Sequence, residues 1–242
     1  MGHTKTIQKI KPIHPFVARM APEIAFEALK GLKKNSTILD PMVGSGTVLR
    51  TVSEYGYNGI GFDIDPLAVL MSKAWSTPFN IQKIKSGTKE ILEEANELST
   101  KEIYLPWIDD DKPTKDFINF WFGRKQANAL RKLSFVISNR NGHYNNLMKV
   151  ALSRLIITKT KGASLAADVS HSRPHKVYEK NDFDVMTAFS NSCDTLAKIF
   201  EKQQPKGKIK VRRGDARDLK DIESASVSAI ITSPPYLNAL DY

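Results

Sequence analysis

The sequence predicts an α/β fold: a doubly wound, Rossmann-like sheet, incomplete in strand count, with a large mostly helical insertion. Three observations predict it. The short apolar run Thr37-Ile38-Leu39 enters a glycine turn, Asp40-Pro41-Met42-Val43-Gly44-Ser45-Gly46-Thr47. A second strand-like run, Gly59-Ile60-Gly61-Phe62-Asp63, ends in a carboxylate about 20 residues past the glycines, the spacing of a nucleoside-binding α/β unit. Residues 80–205 then lose strand character and carry apolar side chains at helical spacing, before strand signals return near the end.

In chain order, residues 1–20 are basic and proline-containing, ending in His14-Pro15-Phe16-Val17-Ala18-Arg19-Met20. Pro22 suits the first position of a helix over 23–30, where Ile24, Ala25, Ala28 and Leu29 share a face. A helix reopens at Thr47–Glu54. Asp65 reads as an N-cap and Pro66 as the first helical residue for 67–74. Helical spacing then marks 91–98, 124–137, 145–157 and 183–200. Residues 162–180, rich in Ser, His and basic side chains without a period, read as a surface loop. Strands return at Ile209-Lys210-Val211 and at 227–232, which delivers Thr232-Ser233-Pro234-Pro235-Tyr236. The predicted division is 1–80 for the first part of the α/β domain, 81–205 for the helical insertion and 206–242 for the domain's continuation.

With 242 residues, 41% of them hydrophobic, one large domain can bury a packed core. The net charge of +10 favours a polyanionic partner. A single cysteine, Cys193, excludes a disulfide framework and any Cys-based zinc site within one chain, and its helical context reads as a buried, inert thiol. His3, His14, His143, His171 and His175 have no metal-ligand spacing, so no metal is expected. No apolar run reaches membrane-spanning length and no signal peptide opens the chain, which predicts a cytoplasmic protein without a membrane partner.

The two motifs carry the chemistry. Gly44 and Gly46 permit positive φ and let a ligand approach bare main chain. The following helix offers free N–H groups to a carboxylate or phosphate. A G-x-G without a third glycine fits a methionine-type cofactor better than a pyrophosphate; a plain strand-to-helix turn is the alternative. Asp63 can accept both ribose hydroxyls, Asp65 being better suited to the cap, and Ile64 can pack on an adenine face. Asp215, in Gly214-Asp215-Ala216, can accept from an adenine amino group.

In the second motif, two prolines fix φ and force an extended turn. An exocyclic base amine is conjugated to its ring and poorly nucleophilic. Ser233 Oγ and the Pro234 carbonyl can accept both its hydrogens, favouring a pyramidal nitrogen whose lone pair faces a methyl donor, while Tyr236 stacks on the base. Such a base must leave the duplex. A structural Pro-Pro turn is the alternative.

These residues resemble those of the S-adenosylmethionine-dependent amino DNA methyltransferases, the N4-cytosine/N6-adenine family. The glycine turn from Asp40 to Thr47 and Ser233-Pro234-Pro235-Tyr236 look like motifs I and IV; residues 14–20 with Ala21-Pro22-Glu23 resemble motif X; Asp63 and Asp215 match motifs II and III. The resemblance covers residues 1–80 and 207–242, and residues 163–175 look familiar from relatives of this kind without a role attached. It implies catalytic roles for Ser233, Pro234, Pro235 and Tyr236, and contacts to S-adenosyl-L-methionine from Phe16, Asp40, Pro41, Gly44, Gly46, Thr47, Asp63, Ile64 and Asp215.

The Ser-Pro-Pro-Tyr variant is typical of cytosine-N4 enzymes, so the expected activity is methylation of cytosine N4 in double-stranded DNA, within a restriction–modification system. Adenine-N6 methylation, RNA guanine-N2 methylation and a cofactor- or DNA-binding half of a split enzyme stay open beside it. Basic residues in 162–176 and 202–213 are candidate phosphate contacts. The family sheet has seven strands, with three after motif IV. Their absence from the sequence predicts a fragment, or one half of an enzyme completed by a second polypeptide.

Overall fold

The computed structural model describes residues 10–15, 19–156, 161–166 and 176–234. Strands β1 (Thr37–Asp40), β2 (Asn58–Asp63), β3 (Ile209–Arg213) and β4 (Ala229–Ile230) form one sheet in the order β3-β2-β1-β4. Every pairing is parallel: Ile38 lies opposite Gly59 and Ala229, and Gly59 lies opposite Ile209. Parallel strands are covered by their crossover helices, so β1 reads as a continuous apolar run, with Ile38 and Leu39 both buried. The order places β2 and β4 on opposite sides of β1. That reversal is a switch point, and ligands of open α/β sheets bind outside the carboxyl ends of the strands there.

Helix α1 (Pro22–Leu29) begins on Pro22, which needs no N–H partner at the first turn. Only Ala25 and Leu29, one turn apart, reach the core; Ile24 is 59% exposed and Ala28 is also on the solvent side. The four-residue face expected from the sequence is therefore half as wide. Helix α2 (Thr47–Glu54) is buried along its whole length. Val48 and Val52 pack with Ala25, Leu29, Ile38 and Ile231, while Leu49 packs with Val43, Val69 and Val211. Each such Val, Leu or Ile side chain contributes about 1.5–3 kcal/mol of burial free energy. Helix α3 (Pro66–Trp75) starts where expected: Asp65 accepts from the Leu67 N–H at 2.8 Å, and Pro66 takes the first position.

A buried charge ties this unit together. Arg50, 1% exposed, donates to Glu54 Oε2 at 3.0 Å, to the Trp75 carbonyl at 2.9 Å and to the Gln203 carbonyl at 2.8 Å. It thereby holds the end of α3 and the stretch that leads into β3. Burial pushes its pKa down, while the Glu54 carboxylate opposes that shift.

The described residues fall into two compact units, one within Met1–Pro78 and Lys202–Tyr242, the other within Phe79–Glu201. The second is helical: α4 (Ile81–Glu97), a 3-10 turn at Thr100–Glu102, α5 (Pro106–Asp109), α6 (Lys112–Trp121), α7 (Arg124–Ser138), α8 (His143–Ser153) and α9 (Val185–Lys202). α4 starts ten residues before the expected 91, because Asn80 caps it by accepting from Lys83 N–H at 3.1 Å. α5 and α6 lie within the expected helical insertion but outside the four segments marked by spacing, although Phe117, Phe120 and Trp121 of α6 stand at i, i+3 and i+4. Their starts are fixed by Pro106 and by Asp111, which accepts from Thr114 N–H. The stretch read as a surface loop is buried where it is described first. Ala163, Ser164, Leu165 and Ala166 are all under 8% exposed, and the Asn181 amide donates to the carbonyls of Gly162, Ala163 and Ser164. The Asn181 amide thus adds to two isolated antiparallel bridges, Phe122–Ser164 and Ala166–Lys176, in satisfying this buried backbone.

The last strand is shorter than the expected 227–232. Only Ala229 and Ile230 join the ladder, although Ser228 N–H still reaches Thr37 O and Ile231 N–H reaches Leu39 O. The four residues of β1 limit the pairing, and the prolines that follow cannot extend it.

Candidate functional site

The carboxyl ends of β1, β2 and β4 bring most of the sequence-predicted residues into one neighbourhood. The glycine turn is wired N–H by N–H. Met42 N–H donates to Asp40 Oδ1 at 3.2 Å, Val43 N–H to the Phe62 carbonyl at 2.9 Å and Gly44 N–H to Asp63 Oδ2 at 2.8 Å. Pro41 between them is buried. Ser45 and Thr47 hydroxyls lie 3.0 Å apart, both buried, at the entry to α2. Gly44 has φ +47° and Gly46 φ +85°. A Cβ on Gly46 would stand 2.8 Å from the Ser72 Cα, so this glycine is required by the close approach of α3 to the turn. The bare backbone at Gly46 thus has a packing cause in addition to any ligand.

Asp63 closes β2 and is half-buried. Its carboxylate accepts from Gly44 N–H and, through Oδ1, from Asp65 N–H at 3.0 Å. Each carboxylate oxygen keeps a second lone pair, so the group can still accept from a diol. Beside it Ile64 is 65% exposed, an apolar surface at the strand end. Gly214 N–H donates to the Asp63 carbonyl at 3.0 Å and draws the start of the Asp215 loop to the same edge.

Asp40 is the unusual group. It is 1% exposed, and burial pushes its carboxyl up to about 6, against the hydrogen bonds from Thr232 and Met42 that pull it down; the neighbouring Asp63 charge adds to the rise. The Thr232 hydroxyl donates to Asp40 Oδ1 at 2.8 Å, across 192 positions of sequence. The two motifs are therefore in direct contact. Ser233 follows half-buried and Pro234 is exposed.

Asp215, read from the sequence as an acceptor for an adenine amino group, is paired in this structure with its near neighbour Arg217. The Arg217 guanidinium grips it at 2.6–3.1 Å through Nε and Nη2, and Arg217 N–H adds a third donor at 2.9 Å. These bonds hold the carboxyl down at about 2. Sequence reasoning passed over Arg217 and Thr232; an Asp-x-Arg turn and a threonine flanking the prolines are the signals that mark them. Phe16, Pro235 and Tyr236 lie outside the described residues.

Cys193, buried in α9, has its thiol pushed up to about 12 by burial and is no nucleophile. Among the described residues no cluster of three or more His, Cys, Asp or Glu is placed to hold a metal ion, and no helix is long and apolar enough to cross a membrane.

No family model matches the chain. The type II methyltransferase M.MjaII of Methanocaldococcus jannaschii is 34% identical over 100 residues, 41% of this chain and 19% of that protein. M.BsoBI of Geobacillus stearothermophilus, also a type II methyltransferase, is 26% identical over 247 aligned residues, 88% of this chain and 46% of its own length. M.MvaI of Kocuria varians is 29% identical over 148 residues, 56% of this chain and 31% of that protein. The chain thus spans less than half the length of each of these relatives, and what it is similar to is the type II methyltransferases.

Proposed function

We propose that this chain acts in site-specific DNA methylation within a restriction–modification system, transferring a methyl group from S-adenosyl-L-methionine to the exocyclic N4 of cytosine in duplex DNA. The observation that carries the reading is the Thr232–Asp40 hydrogen bond, which sets a strand-end glycine turn beside Ser233 and Pro234 at the switch point of a parallel sheet. Similarity to type II methyltransferases across 88% of the chain supports it.

The residues fit such a cofactor. A strand-end carboxylate with spare lone pairs at Asp63, an exposed apolar side chain at Ile64 and bare backbone at Gly44 suit a ribose diol, an adenine face and a close-lying chain. When bound, the sulfonium supplies an electrophilic methyl group. Ser233 Oγ and the Pro234 carbonyl accept the two amine hydrogens, which localises the nitrogen lone pair, and Tyr236 stacks on the extruded cytosine. The rate then comes from orientation and from fixed acceptors.

Residues 202–220 hold eight Lys or Arg against two Asp, six of the chain's net +10. Lys210 and Arg212 are exposed along β3, an outer strand of the sheet, and Lys208 is exposed just before it. They supply a phosphate-binding surface, and binding weakens steeply with salt.

The test is transfer of label from methyl-labelled S-adenosylmethionine to duplex DNA, with nucleoside analysis, for the chain alone and with any neighbouring gene product. N4-methylcytosine, lost on Ser233→Ala or Tyr236→Ala, is the expected result. N6-methyladenine would replace the base assignment, and absence of transfer in both settings would remove the catalytic reading.

A further inference from the structure

Asp40 Oδ1 accepts two bonds at once, from Met42 N–H at 3.2 Å and from Thr232 Oγ1 at 2.8 Å. One oxygen thus holds the start of the glycine turn and the start of the proline loop. Beyond Ile231, whose N–H still reaches the Leu39 carbonyl, β4 has left the ladder, and Pro234 has no N–H with which to rejoin it. The Thr232 side chain therefore supplies an anchor that the backbone no longer provides. Threonine suits this duty: its β-branch restricts χ1, and its hydroxyl donates. Valine keeps the shape without the bond, and serine keeps the bond with a freer rotamer.

We propose that Thr232 is a positioning residue which, through Asp40, fixes the direction in which Ser233 Oγ and the Pro234 carbonyl leave the sheet and so couples the cofactor turn to the methyl-accepting loop. The proposal rests on the methyl-transfer reading above, and its test separates the two.

The full chain is compared as wild type, Thr232→Val and Thr232→Ser. Backbone amide relaxation at Ser233 reads positioning without any chemistry; labelled-methyl transfer to duplex DNA reads its consequence. Thr232→Val loses order at Ser233 and lowers kcat on the order of 10- to 100-fold, the scale of a misplaced reacting group, with the S-adenosylmethionine Kd within about twofold. Thr232→Ser recovers most of both. Thr232→Ala, which removes the hydroxyl without adding a methyl group, carries the same expectation should Thr232→Val not fold. Unchanged order at Ser233 on loss of the hydroxyl overturns the proposal. So does a wild-type kcat in Thr232→Val, or an equal loss of cofactor affinity and turnover. A wild type that transfers no methyl group either alone or with any neighbouring gene product, with the relaxation result as expected, overturns the reading of the reaction and leaves the positioning role standing.

Discussion

Asp40 and Asp215 both follow parallel strands of one sheet, yet their carboxyls are shifted in opposite directions. Asp40, at the end of a central strand and 1% exposed, is pushed up to about 6 because burial removes the water that would solvate its charge. Asp215, just past the outer strand β3, is held at about 2 by the Arg217 fork at a partly exposed position. A shared position in the sheet therefore does not set the chemistry of a strand-end carboxylate; depth and partner do. The comparison extends to pairs. Arg50–Glu54 sits inside, at 1% and 6% side-chain exposure, whereas the Arg217 and Asp215 side chains are 89% and 38% exposed. An interior charge pair is costly to break, and a surface pair hardly matters to stability.

The strongest way to break this contrast is Arg50→Ala. It takes from the buried Glu54 its buried partner, leaving only the exposed Lys206 at 3.7 Å, and strips donors from the Trp75 and Gln203 carbonyls. The expected loss is about 3–5 kcal/mol, read by urea unfolding. Arg50→Lys should recover only part of it, since an ammonium cannot reproduce the planar fork.

The next largest effect has the opposite sign. Asp40 has a folded pKa raised from 3.8 to about 6, so the folded state holds this proton more tightly than the unfolded chain does. Its contribution to stability is greatest below the unfolded value and is lost as pH rises through about 6. Asp40→Asn removes that decline while keeping an oxygen for Thr232 and Met42. The variant and wild type should show no titration-linked gap near about pH 4. Near about pH 8 the variant should be more stable by about 2–3 kcal/mol in denaturant unfolding, with weakened cofactor binding. A carboxylate kept at a cost to the fold is what a working group looks like; equal stability at both pH values would sink that view.

The smallest expected effect is Arg217→Ala. The unfolding midpoint should not move measurably, while the Asp215 carboxyl should rise towards the ordinary carboxylate range in a carbon-13 NMR titration. An Asp215 that stays depressed without Arg217 would show that the backbone donor alone sets it.

The sequence by itself determined the elements whose signals are local. Strand, glycine turn, α2, β2 and the Asp65–Pro66 start of α3 all follow from neighbouring residues: a proline where no N–H is needed, a carboxylate one step before it, glycines where φ is positive. The candidate motifs were legible for the same reason, since the glycine turn and the Ser-Pro-Pro-Tyr run each lie within a few neighbouring residues. The start of α4 and the whole of α6 fell outside the segments singled out, although Ile81 and Ile84, and Phe117, Phe120 and Trp121, stand at helical spacing; polar residues between them masked the period, and the caps Asn80 and Asp111 mark the starts. The buried stretch 163–166 reads as loop in sequence, since its partner Asn181 lies well downstream. Only the tertiary structure decided that Asp40 meets Thr232, that Asp215 is taken by Arg217 and that Gly46 answers to Ser72. Burial and pairing are properties of what surrounds a residue, and residues 192 positions apart become neighbours only when β4 pairs beside β1.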